Sequence, residues 1–76
     1  MTELEWMKIF AKNLIDMLGD ANMTQKELAE EMGVTEATIS RYTNAERIPS
    51  TPNIIKMAYA FGCSTDDLID FGDAIH

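Results

Sequence analysis

The sequence predicts an all-α fold: one domain of five helices with a helix-turn-helix at its centre. Three observations carry this expectation. Apolar residues recur at helical spacing along most of the chain, and no alternating run is long enough for a strand. Helix-starting Ser and Thr and helix-stopping Gly divide the periodic stretches. The stretch Thr24 to Tyr42, TQKELAEEMGVTEATISRY, joins two short helical patterns at a single glycine.

The first helix is expected over residues 3 to 19. Met7, Phe10, Leu14 and Met17, with Ala11 beside them, share one face and read as core. Trp6, Ile15 and Leu18 fall partly off that stripe, either as single exposed apolar residues or as a contact surface for a partner. Gly19-Asp20-Ala21-Asn22 breaks the helix, and Met23 is placed to staple the entry to the next one.

Thr24 is a good N-cap, and Glu27 three residues later completes a capping box. Leu28, Ala29 and Met32 then share one face of the second helix, residues 24 to 32. Two helices joined by so short a turn cross steeply, so a small side chain, Ala29, belongs where their axes approach. Gly33 can take the left-handed conformation that ends a helix at little cost. Val34 points inward, and Thr35 caps the third helix, residues 35 to 43. Ile39 and Tyr42 face in; Glu36, Ala37, Ser40 and Arg41 face out. Small residue, glycine and branched apolar residue in this order form the helix-turn-helix pattern.

A loop, Asn44 to Ser50, follows, with Ile48 expected to plug the core beside Pro49. Thr51 is expected to cap the fourth helix, with Pro52 in its first turn. Ile54, Ile55, Met57, Ala58 and Phe61 give that helix a broad apolar face, and Gly62 stops it. Ser64 with Asp67 marks a last helix, about residues 65 to 71, carrying Leu68 and Ile69, with Phe71 and Ile75 at or past its end.

With 76 residues, one domain spanning 1 to 76 is expected. No apolar run is long enough to cross a bilayer, and the start lacks a basic-then-apolar signal, so a cytoplasmic location is expected and no membrane partner. The single cysteine, Cys63, excludes an internal disulfide and a cysteine-rich metal site, and reads as a small buried hydrophobe. No metal-ligand cluster, phosphate-cradling glycine loop or activated nucleophile stands out, so neither catalysis nor a cofactor is expected.

The net charge is −7, unusual for a nucleic-acid binder. It is unevenly spread. Residues 57 to 76 hold four Asp and no Lys or Arg, whereas Lys26, Arg41, Arg47 and Lys56 nearly balance the five Glu between residues 24 and 56. Screening acts over roughly 10 Å in moderate salt, so the local field of the near-neutral helix-turn-helix matters more for docking than the total charge.

TQKELAEEMGVTEATISRY, the loop ERIPS and IIKMAYAFGCSTDDLI together resemble the lambda-repressor-like (Cro and XRE-type) helix-turn-helix DNA-binding domains. The likeness covers residues 14 to 69 well, with the helix-turn-helix at 24 to 43. It implies a second motif helix lying in the major groove, with base contacts from Glu36, Ala37 and Arg41 and with Ser40 nearby. It implies that Gln25 anchors a phosphate or reaches a base, and that Asn44, Arg47, Ser50 and Thr51 flank the DNA backbone. Arg41 suits guanine, Glu36 a cytosine amino group and Ala37 a thymine methyl. Four positions depart from the family pattern. Ala45 stands where glycine is common and Glu46 where a basic residue is common. Thr43 and Leu18 replace a Glu and an Arg that often pair, so both halves of that bridge are absent together.

The resemblance implies a sequence-specific transcriptional regulator, a repressor of bacterial or phage type acting by operator occupancy. Its partner would be double-stranded DNA carrying an inverted repeat, read by a homodimer, with no small-molecule effector implied. The dimer or partner surface is expected at Leu68, Ile69, Phe71 and Ile75, or on the apolar side of the first helix. The alternative is a non-enzymatic interaction module of the same fold, an antitoxin or anti-repressor partner with weak or lost DNA binding.

Overall fold

Five helices follow in chain order in the computed structural model, which describes residues 1–69: α1 Glu3–Asp20, α2 Gln25–Met32, α3 Glu36–Thr43, α4 Thr51–Phe61 and α5 Thr65–Leu68. Phe71 and Ile75 lie outside the described residues. No helix among the described residues is long and apolar enough to cross a membrane.

Every helix supplies at least one wholly enclosed side chain to a single core. Phe10 and Leu14 come from α1, Leu28 from α2, Ile39 from α3, Met57 from α4 and Leu68 from α5. α3 packs on α2 and α1, and α4 bridges α2 and α5. Ala29 is buried, as a steep crossing between α2 and α3 requires. Asn13 on α1 donates from Nδ2 to the Leu68 carbonyl at 3.2 Å, fastening the short α5 to the first helix.

The helix starts follow hydroxyl chemistry. Thr2, Thr24, Thr35, Ser50 and Ser64 each accept a backbone N–H three residues on, and the first turns at Thr24 and Ser64 are complete capping boxes. At α4 the cap is Ser50, not Thr51. Ser50 has the extended backbone of a cap (ψ 159°), which leaves Thr51 and Pro52 as the first helical residues.

The ends of α1 to α4 repeat one hydrogen-bond pattern around a left-handed residue: Asn22, Gly33, Ala45 and Gly62, with φ of 52°, 70°, 58° and 68°. In each, the next N–H reaches back five residues: Met23 to Leu18, Val34 to Ala29, Glu46 to Arg41 and Cys63 to Ala58, at 2.8–3.0 Å. The left-handed residue itself donates three residues back, to Gly19, Glu30, Tyr42 and Tyr59 respectively. A Cβ on Gly33 would meet nothing within 4 Å, so backbone conformation, not space, asks for glycine there.

Several expectations need correction. Leu18 is buried rather than peripheral. Trp6 is half-buried and stacks on Phe10, ring centroids 5.3 Å apart. Ile15, by contrast, is 52% exposed. Met7 and Met17 are half-buried. Ile48 does not plug the core; it is exposed, and the adjacent Pro49 is the loop residue that goes inside. Proline has no N–H to satisfy, so it enters an apolar interior more cheaply than a residue whose amide would need a partner. Ile55 faces solvent, narrowing the apolar face of α4. α5 ends at Leu68, and Leu68 is core rather than partner surface.

Candidate nucleic-acid interface

α3 is a short rod with two unlike sides. Ile39 and Tyr42 hold its inner side in the core; Tyr42 also meets the edge of Phe10, ring centroids 6.3 Å apart. The Tyr42 hydroxyl accepts a 2.8 Å bond from Asn53 Nδ2, which ties α3 to the first turn of α4. On the outer side Glu36, Ala37 and Arg41 are exposed, and Ser40 is half-buried.

Local hydrogen bonds sort the polar groups of this rod. Thr35 Oγ1 caps the Thr38 N–H at 3.3 Å, and the two threonine hydroxyls pair at 3.0 Å. Asn44 donates from Nδ2 to Ser40 Oγ at 3.2 Å, and Thr43 Oγ1 donates to the Ser40 carbonyl at 3.0 Å. Ser40 and Asn44 therefore act as a connected pair at the end of the helix, while Glu36 extends from its first turn and Arg41 from its last.

Arg47 and Ser50 lie together beside a groove of about 430 Å³ between α3 and α4, with Thr38, Tyr42, Ile48 and Asn53 around them. Ser50 Oγ accepts from the Asn53 N–H at 3.3 Å, so its own O–H stays available to donate to an oxygen outside. The Arg47 side chain beside it supplies five fixed N–H donors. Thr51 is exposed on the first turn of α4. Gln25, half-buried, opens α2 behind its capping box, a full helix away in sequence. Helix N-termini favour anions, and α2 and α4 both begin among these residues.

The structure thus joins Arg47 with Ser50, and Ser40 with Asn44. It leaves Glu36, Ala37, Arg41 and Thr51 as separate exposed side chains. Thr38 and Asn53 also line this surface. The Thr-x-x-Thr spacing signals that Thr38 serves the cap, whereas Asn53 meets Tyr42 across 11 residues and carries no local signature. Cys63 is half-buried; burial pushes its thiol above the ordinary range, and nearby Asp67 adds to this.

Residues 15–68 match the family model described as Helix-turn-helix, HTH_3. The chain belongs to this helix-turn-helix family. Over 47 residues it is 34% identical to the cryptic phage CTXphi transcriptional repressor RstR of Vibrio cholerae; the match covers 62% of this chain and 42% of that relative. The solution structure of an SOS-response transcriptional repressor, LexA, from Eubacterium rectale superposes with a TM-score of 0.79 at 28% identity, covering 86% of this chain and 69% of that one. An HTH_3 family transcriptional regulator from Vibrio cholerae superposes with a TM-score of 0.84 at 17% identity, covering 91% of this chain and 39% of that one, and shows the shared fold.

Proposed function

We propose that this protein is a sequence-specific DNA-binding transcriptional regulator that represses by occupying an operator. The observation that carries the reading is the two-sidedness of α3. Ile39 and Tyr42 clamp it to the core, so Glu36, Ala37 and Arg41 are presented on a fixed rod free of overlying chain among the described residues. A helix about 10–12 Å across fits a major groove about 12 Å wide. Arg41 supplies paired donors suited to guanine; Arg47 and Ser50 supply phosphate contacts that fix the register. The repressor named among the relatives and the LexA structure support the same role. A homodimer on an inverted repeat, with half-sites about 34 Å apart, is the assembly that fits a domain with one reading helix. Its place of action would be the cytoplasm, where the DNA is.

Selection from a random duplex pool tests this. An enriched inverted repeat is expected, and Arg41→Ala with Gln25→Ala should abolish its retention without loss of helicity. Failure to enrich any sequence would refute the reading. Ile55 and Tyr59, one turn apart on α4 and 55% and 90% exposed, favour a second role in binding a protein partner. Partner capture by a parent protein that retains no DNA would give that role precedence.

A further inference from the structure

Four of the six Lys and Arg residues lie on α3 or line the grooves beside it, although the chain as a whole carries −7. Arg41 is in the last turn of α3. Arg47 lies in the loop beyond, beside the α3–α4 groove. On the other side, α1 and the end of α3 enclose an open groove of about 420 Å³. Lys8, Lys12 and Asp16 stand on its α1 wall and Thr43, Asn44 and Ala45 on its α3 wall. Lys8 and Lys12 are four residues apart on α1, so both project to the same side.

This placement answers an electrostatic difficulty. The C-terminal end of a helix carries about −0.5 of a charge, and Glu46 adds a full negative charge next to it in sequence. A DNA phosphate approaching Asn44 would be repelled by both. Two ammonium groups across a groove from Asn44 offset most of this negative charge, Asp16 on the same wall drawing on Lys12. Lys12 is held by Asp16 at 3.1 Å, but both partners are well exposed, and an exposed pair of this kind is worth only about 0–1 kcal/mol. A phosphate can therefore take Lys12 from Asp16 at little cost.

We infer that Lys8 and Lys12 form a second phosphate-binding rim, on α1, that extends the DNA contact beyond the helix-turn-helix and its loop. The inference rests on the DNA-binding reading above. Phosphate contacts are independent of sequence, so the test needs no known operator. The probe is a fluorescein-labelled 20-base-pair mixed-sequence duplex, titrated by anisotropy between 50 and 200 mM salt. Each phosphate contact contributes about 0.9 to the slope of log K against log salt. Lys8→Gln with Lys12→Gln should flatten that slope by about 1.8, so that the parent loses roughly 12-fold more affinity than the variant over this range. Asp16→Asn frees Lys12 and should tighten binding by up to about fivefold, a gain that damage to the fold cannot mimic.

An unchanged slope in the double lysine variant overturns the rim. So does a change confined to thermal stability, which would make the lysines mere partners of the α3 terminus. If Arg41→Ala with Gln25→Ala still weakens duplex binding in that case, the regulator reading stands alone. A parent chain that binds no duplex at 50 mM salt removes both.

Discussion

Replacing Ala45 by glycine should stabilise this protein. Ala45 has φ 58°, and a left-handed backbone costs an L-residue with a Cβ roughly 1–2 kcal/mol. Glycine removes that cost but adds about 0.5–1 kcal/mol of unfolded-state entropy. The net expectation for Ala45→Gly is a gain centred on about 0.75 kcal/mol, within a range of about 0–1.5 kcal/mol. For a domain of this size that raises the melting temperature by about 2–8 °C. Asn22→Gly serves as a control. It shares the hydrogen-bond pattern and the positive φ, but asparagine tolerates that region better, so a smaller gain is expected. The assay is urea denaturation followed by helical circular dichroism, read as a higher midpoint with an unchanged m-value. An Ala45→Gly protein no more stable than the parent would show that the α3 stop is not left-handed in solution. The bonds from the Ala45 and Glu46 amides to Tyr42 and Arg41 would then be absent as well.

Other substitutions separate neighbouring readings of the chain. Ser50→Ala should cost about 1 kcal/mol through loss of the α4 cap, whereas Thr51→Ala should cost little, as compared by urea midpoints. Tyr42→Phe leaves the ring packed but removes the acceptor for Asn53, and a loss of about 1 kcal/mol is expected by chemical denaturation. Leu68→Ala should destabilise by about 2–5 kcal/mol, since its side chain is fully enclosed. A Leu68→Ala protein that keeps its melting temperature but changes its state of association in sedimentation would return that residue to the surface.

How much of this was legible beforehand follows from the range of the interactions involved. The capping box at Thr24, the stop at Gly33 and the inward pair Ile39 and Tyr42 depend on residues a turn apart, and the sequence pattern reports such spacings directly. Whether Pro49 or Ile48 turns inward depends on how the loop meets α1 and α4, and both residues are apolar enough for either role. Ser50 and Thr51 are both competent caps, so the choice between them rested on where the loop delivers the chain. Leu18 looked peripheral on a single stripe because α1 is wrapped on more than one side, its buried residues extending from Phe10 to Leu18. On the surface, the outward residues of α3 followed from helical period. The convergence of Arg47, Ser50 and Asn53, and of Lys8 with Asn44, joins distant parts of the chain and left no periodic trace.

Among the described residues, six wholly enclosed side chains are distributed over the five helices, and this bears on how far any one helix can move by itself. An isolated helix of fewer than about 12 residues is marginal in water. α3 has eight residues and α5 four, so neither persists without the assembled interior. α3 has no independent existence: it forms when the whole domain forms and dissolves only with it. Amide protons in α3 should exchange with solvent no faster than those of Leu14 or Met57. If α3 reads DNA as proposed, binding would be relieved by competition for its outer surface or by removal of the protein, not by unhinging one helix.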